Sequence, residues 1–249
     1  MVMGVVNVTP DSFSDGGRWL DPEAAVAHGL AMAAEGADVI DVGGESTRPG
    51  AAEVPIEEEL RRVVAVVDAL HAHVRVSIDT RKREVAEAAL DAGATIVNDV
   101  SASLYDVAAV HEAGWVAMHM RGTPLTMQQE AQYDDVVSEV REFLLHRVSL
   151  ALAAGVREVW IDPGLGFAKT AEHNLTLLAR LDELVAAGHP VLVGASRKSF
   201  IGRLTGDAPV DDRLAGSLAL AVWAMEKGAA MVRVHDVQAT VQAARLVAA

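Results

Sequence analysis

The 249-residue chain predicts a single-domain (β/α)8 barrel spanning residues 1–249. Three observations carry that prediction. Eight short β-rich runs alternate with segments of helical period, glycine recurs just before most of those runs, and each run carries a polar residue at or next to its end. An open, doubly wound sheet is the alternative that the same alternation allows.

The runs are Val2–Asn7, Asp38–Val42, Val74–Asp79, Thr95–Asp99, Trp115–His119, Glu158–Asp162, Pro190–Ser196 and Ala229–His235. Most are continuously apolar, as parallel strands covered on both faces must be. Between them, Ile56–Leu70, Arg83–Leu90, Asp134–Leu152 and Arg213–Met225 repeat their apolar residues at helical spacing. Asp21-Pro22-Glu23 reads as a helix start, with Asp as the cap and Pro in the first turn. Gly36, Gly93, Gly114, Gly155, Gly188 and Gly228 each precede a strand and are expected to stop the preceding helix in the left-handed conformation. The His71-Ala-His73 junction lacks such a glycine. No linker, low-complexity tract or second domain is visible.

Composition narrows the function classes. Half of the chain is hydrophobic (51%) and 22% is charged, a globular mixture. With no cysteine there is no disulfide, thiol nucleophile or thiolate metal site. No apolar run is long enough to span a bilayer and no cleavable leader is evident, so a cytoplasmic protein is expected. A net charge of −14 repels nucleic acid and acidic lipid, so neither is expected as a partner. An anionic substrate would require the few basic residues to be gathered in one place.

In a barrel, the strand ends converge on the face where active sites form. Here those ends are Asn7, Asp41, Asp79, Asn98-Asp99, His119, Asp162, Ser196-Arg197, and Arg233 with His235. Wet strand ends explain one or two such residues and explain eight poorly. The first two strand-to-helix connections, Val8–Leu20 and Gly43–Pro55, are also long and rich in glycine, which suits loops that close over a ligand.

Two segments then carry a specific resemblance: Asn7-Val-Thr-Pro-Asp-Ser-Phe-Ser-Asp-Gly-Gly17 and Asp41-Val-Gly-Gly-Glu-Ser-Thr-Arg-Pro-Gly-Ala51. Ser77-Ile-Asp-Thr80, Asn98-Asp99, Met118-His-Met120, Asp162-Pro-Gly-Leu-Gly-Phe167, Gly194-Ala-Ser-Arg-Lys-Ser199 and Arg233-Val-His-Asp236 follow in order. From first strand to last, the chain resembles the dihydropteroate synthase family of pterin-binding barrels. Two departures stand out. Family members usually carry a β-hairpin before the first strand, so that cap is expected to be short or missing, and the stretch Val100–Asp106 is shorter than usual.

The resemblance implies the condensation of a dihydropterin pyrophosphate with p-aminobenzoate. It assigns Asp79, Asn98, Met118, Asp162, Phe167 and Lys198 to the pterin. An ionised carboxylate at Asp162 would match the paired N–H donors of that ring. Asn7, Arg233 and His235 are assigned to the pyrophosphate, and the alternation of strand side chains points the last two to one side. Mg2+ is implied as the cofactor, carried in on the phosphates with Asn7 as its protein ligand. Phe13, Thr47, Arg48, Pro49 and Ser199 are assigned to p-aminobenzoate and to the loops that close around it. Asp79, Lys198, Arg233 and His235 are the implied catalytic groups in a dissociative, SN1-like substitution. The resemblance also implies a homodimer through the last two helices. Pterin-dependent methyltransferases and non-catalytic pterin-binding paralogues are the competing readings. His71 and His73 are expected at the surface, and His119 is expected to support the core. Arg233→Ala is expected to cut turnover while leaving stability near normal.

Overall fold

A computed structural model describes residues 1–9, 21–48 and 50–248. Eight parallel strands form one sheet: β1 (Val2–Asn7), β2 (Val39–Gly43), β3 (Arg75–Asp79), β4 (Ile96–Asp99), β5 (Gly114–Met118), β6 (Val159–Asp162), β7 (Leu192–Val193) and β8 (Met231–Val234). They pair in the order β6-β5-β4-β3-β2-β1-β8-β7. A parallel bridge between Ile161 and Val191, with the Ile161 N–H donated to the Pro190 carbonyl at 3.0 Å, brings the two ends of that sheet together. The barrel is thus closed, and the open-sheet alternative falls away.

The two-residue alternation of side chains sorts the apolar residues into two separate cores. Met3, Val39, Ile96, Val116, Trp160, Leu192 and Met231 pack together in the barrel interior. Their outward neighbours, among them Val2, Ile40, Val97, Trp115, Ile161, Val193 and Val232, pack instead against the helices. Arg75 forms a two-pronged pair with Glu158 at 3.0 and 2.5 Å, linking β3 to the start of β6 at the N-terminal end of the strands.

The helices are α1 (Pro22–Glu35), α2 (Ile56–Leu70), α3 (Arg83–Asp91), α4 (Tyr105–Val110), α5 (Val136–Ala154), α6 (Ala171–Ala179), α7 (Leu181–Val185), α8 (Ser199–Leu204), α9 (Leu214–Glu226) and α10 (Val237–Val247). The Asp21 carboxylate caps α1 by accepting the Glu23 N–H at 3.1 Å, as its sequence implied. Five of the six junction glycines adopt positive φ: Gly36, Gly93, Gly155, Gly188 and Gly228. Gly114 does not, and that expectation is corrected. The left-handed residue there is Glu112, at φ 52°, and Gly114 opens β5 instead. A Cβ at Gly114 would sit 3.0 Å from the Glu158 carboxyl, which Arg75 holds, so a larger residue there would have to displace that side chain.

The strand expected over Pro190–Ser196 shrinks to Leu192–Val193. Beyond Gly194 the chain leaves the ladder and enters a turn that holds Arg197 at φ 57°.

Asp99, at the end of β4, faces away from the barrel mouth chemistry. Its carboxylate accepts N–H groups from Ser101, Ser103 and Leu104 at 2.8, 2.6 and 2.6 Å, and the Trp115 indole N–H at 3.2 Å. Asp99→Ala would strand the buried Leu104 and Trp115 donors, at about 1–3 kcal/mol each. A loss of roughly 2–6 kcal/mol of unfolding free energy is therefore expected in a urea titration.

Candidate active site

The C-terminal strand ends surround a cavity of about 510 Å³ lined by Asn7, Thr47, Arg48, Asp79, Phe167, Lys198, Ser199, Arg233 and His235, with Thr9, Glu45, Ser46, Met127, Gly166, Gly194, Ser196, Arg197, Val210 and Arg213. Asn98, next to last in β4, and Met118 and Asp162, which end β5 and β6, lie beside it, each no more than 6% exposed. Phe13 and Pro49 lie outside the described residues. The expected residues that are described therefore meet at one end of the barrel.

At the floor, Arg233 donates Nε to Asp41 at 2.6 Å and Nη2 to Asp79 at 2.7 Å. Asn98 donates to the same Asp41 oxygen at 2.9 Å. Two carboxylates thus share one guanidinium, leaving one negative charge in excess. Burial, followed by the neighbouring carboxylates Asp41, Glu59 and Asp99, pushes the Asp79 carboxyl up to about 7, although Arg233 pulls it down. The Oδ1 atoms of both Asp41 and Asp79 are buried without a hydrogen-bond partner among the described residues. Such acceptors are costly unless something donates to them.

Asp162 lies on the opposite side of the floor. Its Oδ1 accepts the Gly164 N–H at 2.7 Å, and burial raises its carboxyl above the ordinary range against the pull of Lys198. The turn that follows requires Gly164: its φ is +66°, and a Cβ there would come within 2.0 Å of the His119 carbonyl oxygen. Lys198 reaches the Leu165 carbonyl and lies 4.5 Å from the centre of the Phe167 ring. Burial lowers the Lys198 ammonium to about 8, while Asp162 supports its charge.

His235 stands where the basic residues converge. Burial, then Arg197, Arg233, Arg48 and Lys198 in that order, holds its imidazole down at about 3. A chain of net charge −14 has thus gathered four cations around one neutral ring, which is the local basic cluster an anionic ligand demands. The cluster is braced from outside. Arg197 grips Asp236 through Nε at 3.1 Å and Nη2 at 2.6 Å, its N–H donates to Ser217 Oγ at 2.9 Å, and its carbonyl accepts from Arg213 at 3.0 Å.

The loop after β2 is pinned at its base. Lys82 Nζ bonds Glu45 and Glu59 at 2.6 Å each and the Val54 carbonyl at 2.5 Å. Glu45 also accepts the Val54 N–H at 2.8 Å and Arg81 Nε at 2.9 Å, so both ends of the segment carrying Thr47 and Arg48 are tied down. Burial alone would raise the Glu45 carboxyl, but hydrogen bonds from Lys82, Val54 and Arg81 hold it low. Lys82→Met would leave the buried Glu59 carboxylate without a cation and Glu45 with Arg81 alone. It is expected to lower unfolding free energy by about 3–5 kcal/mol, measured by denaturant titration.

His119 supports the core, as expected. It bonds the fully buried Lys169 at 2.9 Å, packs edge-on to Phe143, and is kept neutral near pKa 2 by burial and by Lys169. His71 and His73 are exposed. Asp41, Glu45, Met127 and Arg213 were not foreseen as site residues. Asp41 carried a signal, since it is a lone acid inside an apolar strand run; Met127 carried none, because it sits in a short 3-10 turn, Met127–Gln129, within an irregular connection. Among the described residues no group of three or more His, Asp or Glu side chains forms a metal cage, and no helix is long and apolar enough to cross a membrane.

This parallel barrel sets buried carboxylates and amides beside a cluster of cations at its mouth, and the chain falls in the class of pterin-binding enzymes. The model of that family, described as pterin binding enzyme, matches residues 3–235. A relative from Mycobacterium leprae (strain TN), a dihydropteroate synthase, is 54% identical over 100% of this chain and 92% of its own length. The dihydropteroate synthase of Yersinia pestis, solved as a sulfonamide drug complex, superposes with a TM-score of 0.96 at 44% identity, covering 100% of this chain and 93% of the other. That of Xanthomonas albilineans in complex with 7,8-dihydropteroate gives 0.88 at 48% identity, covering 98% and 91%. The chain belongs to the dihydropteroate synthase family.

Proposed function

We propose that this protein condenses 6-hydroxymethyl-7,8-dihydropterin diphosphate with p-aminobenzoate, giving 7,8-dihydropteroate and pyrophosphate. The observation that carries the reading is the cation cluster around neutral His235, set directly beside a floor of buried, under-satisfied carboxylates. A diphosphate answers the first feature and the N–H edge of a pterin answers the second. Asp162, Asn98 and Asp79 would take the ring's donors, Lys198 its carbonyl oxygen, and Met118 and Phe167 its faces. Thr47, Arg48 and Ser199, with Phe13 and Pro49, would hold the aminobenzoate.

An aromatic amine is neutral and nucleophilic near pH 7, so the harder step is departure of the diphosphate. The C–O bond at the pterin methylene breaks and its electron pair leaves with the phosphate, whose growing charge Arg48, Arg197, Lys198, Arg233 and the His235 N–H stabilise. The positive charge left on the dihydropterin meets the excess carboxylate charge of Asp41 and Asp79. The amine nitrogen then forms the C–N bond and sheds a proton, which the departed diphosphate is basic enough to accept.

For Mg2+, the donor set suits an ion that arrives on the diphosphate: Asn7 offers one hard oxygen at the cavity wall, and no cage among the described residues competes for it. When bound, Mg2+ would neutralise phosphate charge as it leaves.

The test is pyrophosphate release with and without Mg2+ and p-aminobenzoate. Release dependent on both supports the reading. A protein that binds pterin and releases no pyrophosphate would instead fit the methyltransferase class, whose chemistry has no use for the cation cluster. A homodimer through α9 and α10 and a cytoplasmic location complete the proposal. Leu214 and Leu246, exposed on those helices, support the first, and sedimentation analysis checks it.

A further inference from the structure

Ser196 makes two contacts with a single residue. Its Oγ accepts the His235 backbone N–H at 3.2 Å and lies 3.0 Å from Nδ1 of the same imidazole. A serine hydroxyl has one hydrogen and two lone pairs. With one lone pair already taken by the backbone donor, two arrangements remain. Either Nδ1–H also donates to Oγ, or the hydroxyl donates to a bare Nδ1. The first would crowd two donors onto one oxygen and leave the hydroxyl hydrogen of a 93%-buried serine (7% exposed) with no acceptor among the described residues. The second satisfies every atom. An imidazolium, the remaining alternative, would add a fifth positive charge to a site where Arg48, Arg197, Lys198 and Arg233 already act on the ring.

We infer that Ser196 is a positioning residue that locks His235 in its Nε2–H tautomer, so that the ring presents a neutral hydrogen-bond donor, and not a lone pair, to the diphosphate. The opposite tautomer would aim a lone pair at phosphate oxygens and oppose the charge that develops on them. The inference rests on the proposed function for its ligand, but the tautomer itself is a property of the protein alone.

The experiment labels the histidines with 15N and reads the His235 ring nitrogens at neutral pH, assigned with a His235→Gln control. It is paired with steady-state kinetics of Ser196→Ala, Ser196→Thr and His235→Gln, the last placing an amide N–H near the Nε2 position. The wild-type ring is expected to carry its proton on Nε2, and Ser196→Ala to populate both tautomers. In Ser196→Ala, kcat is expected to fall by about 10²-fold, the scale for losing one aligned donor, with the KM for p-aminobenzoate little changed. Ser196→Thr, which keeps the hydroxyl, should restore both readouts, and adding Ser196→Ala to His235→Gln should cost little more. A wild-type ring protonated on Nδ1 while pyrophosphate is released overturns the inference and leaves the reading of function standing. An Nε2–H ring in a protein that releases no pyrophosphate supports the tautomer lock and overturns that reading. If Ser196→Ala fails to fold, the wild-type spectrum still decides.

Discussion

Arg233→Ala is expected to lower turnover by at least about 10²–10³-fold and to destabilise the apo protein by about 3–5 kcal/mol. The second half reverses what the sequence suggests. As a cradle residue waiting for phosphate, Arg233 would cost the empty protein little to lose. In the structure its guanidinium is already engaged, with Nε on fully buried Asp41 and Nη2 on Asp79. Removing it leaves two close carboxylates without their shared cation.

The loss should depend on pH, with a definite sign. The Asp79 carboxyl is raised from 3.8 to about 7 in the folded protein, first by burial. Between those values the folded state binds more protons than the unfolded one, so the stability contributed by this group is complete below the unfolded value and is lost as pH rises through the folded one. Without Arg233 the carboxyl rises further and the window extends upward. The gap between wild type and variant should therefore be smaller at pH 5 than at pH 8 in paired urea titrations. Equal gaps would show that the carboxylates do not depend on this cation. Arg233→Lys should fall between the two, because one ammonium cannot offer two separately directed N–H groups to Asp41 and Asp79.

That reversal shows what the sequence could and could not disclose. The barrel was legible because a strand covered on both faces must be apolar throughout, and because the polar ends of eight such runs can converge at only one place. The pairing of Arg233 with His235 on one side of β8 was legible from the two-residue alternation. What Arg233 touches was not, because Asp41 and Asp79 come from β2 and β3 and meet it only once the barrel has closed. The neutral state of His235 was hidden for the same reason: its cations come from the loop after β2, the turn after β7, and β8. The shortness of β7 was hidden because the apolar run Pro190–Ala195 looks the same whether or not it stays in the ladder. The dense cage around Lys82 was missed because Glu45, Glu59 and Lys82 read, one at a time, as ordinary surface charges.

The second large effect is expected at Asp162. Asp162→Asn should weaken binding of the pterin substrate by about 10²–10⁴-fold, which corresponds to two charge-assisted hydrogen bonds at roughly 1.5–3 kcal/mol each. The side chain keeps its size, so the packing of the floor should survive. The hydrogen-bond pattern changes: an ionised carboxylate offers two acceptors to the adjacent N–H groups of the heterocycle, whereas an amide offers one acceptor and one donor. Whichever way the amide turns, it either sets a donor against a donor or gives up the Gly164 N–H that its Oδ1 now holds at 2.7 Å. Lys198 also loses the negative charge that offsets its own burial, so its ammonium, already lowered to about 8, should fall further. The variant should thus lose affinity most steeply above neutral pH, where Lys198 gives up the proton it would donate to the pterin carbonyl. Calorimetric titration with the pterin substrate at pH 6.5 and 8.5 separates the two contributions. A variant that binds within about threefold of wild type at both values would remove Asp162 from the pterin site, since no single rearranged hydrogen bond could make up a loss on the order of 3–6 kcal/mol.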